Sequence, residues 1–435
     1  MTNLGRLQFA VLALLAAASV CCAEKGVRSM RKDAPNNTPT LSSNEEKQPT
    51  PQAQPAQPLD PDELPAKSSP TRDKKIPNEK PVPQDNGVDI ALTNDPALRA
   101  RFDRVLVGVI PAQASGLVVA VVRGNSRHVF AYGTTGDGST TPPDEHTIYE
   151  IGSITKVFTG MMLAQLTLDR SVALNDPVKG LVAPHVIPTR SGRDMTLLDL
   201  ATHTSGLPRI QTDAPPNIGA GILYDMDNTF RFLAGYTLIV DPGTAYNYSN
   251  VGAGLLGHAL ATKVGEAYEP WVVRRICEPL GMHDTRIVLD ESQLKRIAKG
   301  RVGDARDPTN LQWPANSYGL ASGAIQSSAL DMMRFLEANL GLRPSPLDAA
   351  IASATSPQRP VPGAPPLNNM GLLWQLTPRT GTSEIEISKD GGTAGFASFI
   401  IFNKKAQVGL VLLINGSTAN PDDLGVRLLN EVYAK

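Results

Sequence analysis

Cysteine is scarce in this chain. Only Cys21, Cys22 and Cys277 occur in 435 residues, which excludes a disulfide scaffold and any cysteine-based zinc cluster. Histidine is scarce too. Among His128, His146, His185, His203, His258 and His283 no pair has the i, i+4 spacing of a helical metal site, so a zinc hydrolase is not expected. An excess of charge of one sign is also missing. The 41 Lys and Arg against 42 Asp and Glu leave a net charge of −1, so no sequence-wide field draws in nucleic acid, and no nucleic-acid partner is expected. What is present is a 41% apolar fraction, enough for a sizeable core, and a length that gives room for two or three structural units.

The first 89 residues read as processing and spacer sequence. Arg6 precedes an unbroken apolar or small run over residues 9–23, 15 residues long and shorter than the roughly 20 a spanning helix needs. A charged start, a short apolar stretch and small residues before Glu24 predict a signal peptide over residues 1–23, cleaved after Ala23. Lipidation of Cys21 or Cys22 is the rival reading, although Ala18-Ser19-Val20 lacks the leucine and the small final residue such a signal favours; an uncleaved anchor is the plain alternative. Either way the expectation is export to the periplasm or cell envelope. Residues 24–89 contain no aromatic side chain and 12 of the 36 prolines. Such a segment cannot bury enough apolar surface to offset its ordering entropy and reads as a disordered, proline-rich linker. It is either a reach-giving tether to the envelope or a tolerated insertion without a role.

The folded part is expected over residues 90–435. Residues 95–107 have helical periodicity. Residues 115–123 form a β-branched run, Gly124-Asn125 marks a turn, and residues 128–132 can return as a partner strand. At the other end, strands are expected over 395–402 and 407–415, then a helix over 421–433. Strands at both termini around helical, loop-rich sequence predict an α+β unit, with an α/β part over about 90–170 and 315–435 and a helical part over about 171–314. The terminal strands should share one antiparallel sheet.

Three short elements carry chemistry. Gly152-Ser153-Ile154-Thr155-Lys156 precedes Met161, Met162, Leu163 and Leu166 at helical spacing, which puts Ser153 and Lys156 on one helix face. A serine hydroxyl needs a base beside it, and a lysine can be that base when burial and nearby positive charge lower its pKa. A helix-capping serine beside a solvated lysine would give the same letters. Tyr248-Ser249-Asn250 lies on a turn before an apolar helix. Lys389-Asp390-Gly391-Gly392 leads toward a C-terminal strand, where small residues would let a substrate lie along an edge. Singly, these are an Asx turn and a hairpin. Together and in this order they are the serine–lysine acyl-transfer set.

With these elements the chain resembles the β-lactamase and penicillin-binding protein superfamily, closest to the branch of serine hydrolases and DD-peptidases related to class C β-lactamases. Residues 196–208, 279–285 and 319–336 resemble the same branch. The resemblance implies a β-lactamase/transpeptidase-like fold, an antiparallel sheet flanked by helices with a helical subdomain. It implies catalytic roles for Ser153 as the acylated nucleophile, Lys156 as proton acceptor and Tyr248 as proton relay. It gives Asn250 the amide of the acyl group, Lys389 the site's positive charge, and the N–H groups of Ser153 and Gly392 the oxyanion hole. Asp390 and Gly391 complete the substrate-binding strand. No metal or organic cofactor is implied, and the substrate is a β-lactam, a D-Ala-D-Ala-type peptide of peptidoglycan, or an ester. A penicillin-binding sensor that acylates without turnover is the other functional class. Two positions depart from the pattern: Asp390 stands where penicillin-recognising members have threonine, and Thr155 where class C β-lactamases have serine or alanine. Of the remaining residues, His203 is expected to make structural hydrogen bonds, Trp374 to be a core or cleft-wall aromatic, and Cys277 to be a buried small hydrophobe.

Overall fold

A computed structural model describes residues 90–434, apart from 139, 213–224, 303–304, 308–312 and 362–365. The expected leader over 1–23 and linker over 24–89 lie outside the described residues. Twelve strands are described: β1 Gly116–Arg123, β2 Ser126–Gly133, β3 Ile148–Glu150, β4 Gly300–Val302, β5 Ala305–Asp307, β6 Gln326–Ser328, β7 Arg359–Pro360, β8 Asn369–Met370, β9 Gln375–Pro378, β10 Ile385–Gly392, β11 Ala397–Asn403 and β12 Val408–Ile414. Eight of them form one antiparallel sheet in the order β2-β1-β12-β11-β10-β9-β8-β7. The two ends of the fold thus meet at the centre, with Val119 of β1 opposite Leu412 of β12.

Strand alternation divides the interior in two. Leu117, Val119 and Val121, with Phe399, Ile401, Leu410 and Leu412, face one side, where helices Pro96–Val105 and Pro421–Tyr433 cover them. Val118, Ala120 and Val122, with Ile400, Phe402, Val411 and Leu413, face the other side. There they pack with helices Thr155–Leu168 and Ala329–Leu340, and helix Asn250–Val264 joins the same core. Three of these helices start where the sequence supplies a cap. Asp95 accepts from Leu98 N, Asn420 from Asp423 N and Ser328 from Asp331 N. Trp374 lies fully inside the second of these cores, in a T-shaped contact with Phe402. Cys277 is fully buried, and burial pushes its thiol up, as befits a small hydrophobe.

One strand differs from the sequence expectation. The segment around Lys389 does not lead into a strand; it is the end of one, β10, and the turn at 393–396 then delivers β11. Nor is β10 an edge strand along its whole length. It pairs with β11 from Ile387 to Gly392 but with β9 only from Ile385 to Ser388, so residues 389–392 alone present an open edge. The run over 385–388, Ile-Glu-Ile-Ser, has the two-residue alternation of a strand. Lys-Asp-Gly-Gly after it has none, which hides the strand in the sequence.

Candidate active site

The open edge of β10 faces the turn that carries Ser153. Gly391 and Gly392 pack against Ile151 and Gly152: a Cβ on Gly391 would run into the Ile151 carbonyl and the Ser398 hydroxyl, and one on Gly152 would lie 2.6 Å from Gly392 N. Gly152 also has φ +49°, which a side chain would strain. Gly391→Ala is therefore expected to push β10 off this turn. It should destabilise the fold by about 2 kcal/mol, the range for forced overpacking, and lower acylation at the same time. Denaturant unfolding, with acylation rates measured below the transition, checks both. Unchanged stability and unchanged rate would show that the two segments need no close contact.

Ser153 is the middle residue of a 3-10 turn, Gly152–Ile154, that runs into helix Thr155–Leu168. It does not cap that helix, since no side chain does. Its hydroxyl instead receives a hydrogen bond from Lys156 Nζ at 3.0 Å. Lys156 is fully buried, so the solvated alternative falls away. Its Nζ also donates to the Ser322 carbonyl at 2.6 Å, on the short helix Leu320–Gly323. Thr155 has no part in this. It is fully buried, and its hydroxyl accepts from Ile325 N at 3.0 Å, tying the helix to the loop that follows Ser322.

Tyr248 arrives on the turn before helix Asn250–Val264. Ser249 caps that helix by accepting from Gly252 N at 2.8 Å and donates to the Pro208 carbonyl at 2.7 Å. His203 holds the same turn. Its carbonyl accepts from Asn247 N at 2.7 Å, its Nδ1 accepts from Ser249 N at 3.2 Å, and its ring lies 4.5 Å from the Tyr248 ring. His203 adopts φ +54°, uncommon for a side-chain residue and costly unless its surroundings impose it. Among the described residues no hydrogen bond joins His203 to Ser153, which leaves it the structural role expected of it. The Tyr248 ring lies between two ammonium groups, with Lys156 Nζ 5.0 Å and Lys389 Nζ 5.2 Å from its centroid.

The cross-strand partners fix the faces of β10. Lys389 is opposite Ile400, in the core on the Ser153 side, while Asp390 is opposite Phe399, in the core on the far side. Lys389 is accordingly 1% exposed, and its Nζ meets the Asp390 carboxylate at 2.5 Å and the Asp390 carbonyl at 2.9 Å. Asp390 thus neutralises the lysine beside it. The Thr393 N–H bonds the Phe396 carbonyl, so antiparallel alternation turns the Gly392 N–H away from β11, on the side where Gly152 packs. The Ser153 N–H belongs to the first turn of its helical segment, where amides have no intrahelical acceptor. Both N–H groups thus lie outside strand and helix pairing, where the end of β10 packs against Gly152.

Electrostatics follow from this packing. Burial pushes Lys156 below its ordinary value; the Lys389 charge adds to this and the nearby Tyr248 opposes it. Burial pushes Tyr248 upward, but the charges of Lys156 and Lys389 outweigh it and leave the phenol below its ordinary value. Burial lowers Lys389, and the Asp390 charge, with Tyr248 behind it, more than reverses that. His203 falls well below its ordinary value through burial, then through the charges of Lys156 and Lys389, and is neutral at pH 7. The set thus combines a lysine with reduced proton affinity, an acidified tyrosine and a permanently charged lysine.

Asn250 opens its helix with its N–H on the Arg209 carbonyl at 2.9 Å, and its buried side-chain oxygen has no partner among the described residues. Two neighbours of this set escaped the sequence reading. The Ser322 carbonyl acts through backbone and leaves no residue-type signature. Arg209 follows the turn at 203–208, and its guanidinium lies 4.9 Å from the centroid of the Tyr248 ring. Among the described residues no group of three or more His, Cys, Asp or Glu could hold a metal ion. A cavity of about 570 Å³ between helix Pro96–Val105 and β2 shares no residue with this site.

The comparisons with known proteins agree with this geometry. The Beta-lactamase family model matches residues 104–434. The D-alanyl-D-alanine-carboxypeptidase/endopeptidase AmpH of Escherichia coli K12 is 30% identical over 317 residues, 70% of this chain and 80% of that protein. A β-lactamase of Pseudomonas fluorescens is 26% identical over 346 residues, 71% of this chain and 90% of its own. Among solved structures, the β-lactamase/D-alanine carboxypeptidase of Yersinia pestis superposes with a TM-score of 0.66 at 24% identity, covering 78% of this chain and 99% of that one. The D-alanine carboxypeptidase AmpC of Burkholderia cenocepacia gives 0.65 at 23% identity, covering 78% and 99%. These structural likenesses carry the fold, and the sequence matches carry the kinship: the chain belongs to the β-lactamase family of serine hydrolases.

Proposed function

We propose that this protein is an exported acyl hydrolase that works through a Ser153–Lys156–Tyr248 acyl-enzyme mechanism on D-Ala-D-Ala-type peptides or β-lactam amides. The observation that carries the reading is the 3.0 Å hydrogen bond from the buried Lys156 Nζ to the Ser153 hydroxyl. The hydroxyl oxygen attacks the substrate carbonyl carbon, its proton passing to the Lys156–Tyr248 pair. The carbonyl oxygen takes up the negative charge and is held by the N–H groups of Ser153 and Gly392, an arrangement worth about 3–4 kcal/mol per donor. Tyr248 passes the proton to the leaving nitrogen, the carbon–nitrogen bond breaks, and an ester to Ser153 remains. Water then attacks the ester, the same pair removes its proton, and Ser153 regains its hydrogen. The Asn250 oxygen, without a partner among the described residues, would accept the N–H of the acyl amide. The names of the relatives, a D-alanyl-D-alanine carboxypeptidase/endopeptidase and a β-lactamase, support the substrate classes. Export rests on the apolar run at 9–23, with the envelope as the expected place of action.

The test is a panel of a chromogenic cephalosporin, a D-Ala-D-Ala peptide and a short-chain p-nitrophenyl ester, read for both burst and steady state. Sustained turnover of the amides supports the reading. A single stoichiometric burst would make the protein a penicillin-binding sensor, and turnover of the ester alone an esterase.

One observation favours the ester as second reading. With Lys389 paired to Asp390 at 2.5 Å, the strand offers little net positive charge to a substrate carboxylate. Asp390→Thr should release that charge. Kcat/KM for a cephalosporin with a free carboxylate is expected to rise by about tenfold, mostly through KM, which corresponds to about 1.4 kcal/mol. The gain on a neutral ester should be much smaller. Equal changes on both substrates would show that the Asp390 charge does not act on bound substrate.

A further inference from the structure

We propose that Arg209 is a substrate-binding residue that takes a carboxylate on the acyl part of the substrate. The inference rests on the acyl-transfer reading above and refines its substrate class to acidic acyl donors. Three observations carry it. First, Arg209 is an exposed residue whose guanidinium lies 4.9 Å from the ring centroid of the half-buried Tyr248, so it belongs to the same site. Among the described residues no acidic side chain pairs with it. Second, the other cations of the site are not available. Lys156 is fully buried with its Nζ on Ser153 and the Ser322 carbonyl, and Lys389 is 1% exposed with its Nζ on Asp390. Third, Arg209 stands beside Asn250, whose N–H binds the Arg209 carbonyl at 2.9 Å and whose buried oxygen lacks a partner among the described residues.

If Asn250 meets the acyl amide, Arg209 lies on the acyl side of Ser153, and the strand end at 389–392 on the leaving-group side. A guanidinium already stacked on an aromatic ring has lost much of its freedom, so less is lost when it binds a carboxylate through two parallel hydrogen bonds. The acyl groups that fit carry a carboxylate a few bonds beyond the scissile carbonyl, as glutaryl or γ-linked glutamyl groups do.

The test compares two p-nitrophenyl esters with the same leaving group, the butyrate and the hemiglutarate. The wild-type protein is expected to prefer the hemiglutarate in kcat/KM. Arg209→Gln should lower the hemiglutarate-to-butyrate ratio at least tenfold, chiefly through KM. Arg209→Lys should keep part of the preference, and added salt should erode it. A ratio unchanged in Arg209→Gln would overturn the proposal. A second measurement is independent of turnover: calorimetric binding of glutaric acid monoanilide and butyranilide to the Ser153→Ala protein. Tighter binding of the glutaric compound, lost when Arg209→Gln is added, supports the proposal, and equal binding of the two anilides overturns it. Absence of any acyl adduct on Ser153 would instead overturn the acyl-transfer reading and leave the calorimetric result standing on its own.

Discussion

Ser153→Ala is expected to abolish turnover of every substrate and all covalent labelling by a fluorescent penicillin. Removing the nucleophile of a serine hydrolase costs about 10⁶-fold in kcat, so the residual rate should sit at the detection floor. The fold should survive. The Ser153 hydroxyl has one hydrogen-bond partner among the described residues, Lys156, and that lysine keeps its bond to the Ser322 carbonyl when the hydroxyl is gone. The loss is one hydrogen bond at a partly exposed position, about 1 kcal/mol, within reach of a thermal melt. Mass spectrometry of the labelled wild-type protein should place the adduct on the peptide containing Ser153. An adduct elsewhere, or labelling that persists in Ser153→Ala, would transfer the nucleophile role to another residue and undo the reading of the site.

The sheet and the Ser153–Lys156 pair were legible in the sequence because both rest on local pattern. Residues 116–123 and 408–414 are apolar nearly throughout because both faces of the central strands are covered, and such runs stand out in any window. The Ser153–Lys156 spacing is local, so one helical turn suffices to bring the two together. Contacts that cross the chain were not legible. Lys156 reaches Ser322, 166 positions away, through a carbonyl that every residue possesses. The open edge of β10 exists because β9 stops opposite Ser388, a matter of register with no sequence mark. The short strands β7 and β8 have two residues each, too few for alternation to register. Asp390 was readable as a departure from a motif but not as a partner for Lys389. Strand alternation alone sends the two side chains to opposite faces, and only the unpaired edge lets the carboxylate and the ammonium meet.

Lys156→Met and Tyr248→Phe are each expected to slow acylation by at least about 10²-fold, the low end for a general acid–base group. Both variants keep the packing. Methionine fills most of the buried space of the lysine stem, and phenylalanine preserves the ring contacts with His203 and Arg209. If lysine and tyrosine share the serine proton as one unit, the double variant should cost far less than the product of the single losses. Multiplicative losses would mean two independent functions. The pH profile gives a second reading of the same unit. Acylation by the wild-type protein needs the pair to have lost one proton, so kcat/KM should fall as pH drops through the pair's apparent pKa. In Tyr248 burial raises the phenol while Lys156 and Lys389 lower it, and the two charges prevail. Removing the Lys156 charge leaves burial opposed by Lys389 alone, so the phenol holds its proton to higher pH. The acid limb in Lys156→Met should therefore move upward by about one pH unit or more, the usual effect of one charge at 4–6 Å. A limb that stays in place would mean that Tyr248 does not titrate in the reaction, and that Lys156 hands on the proton by a route that bypasses the phenol.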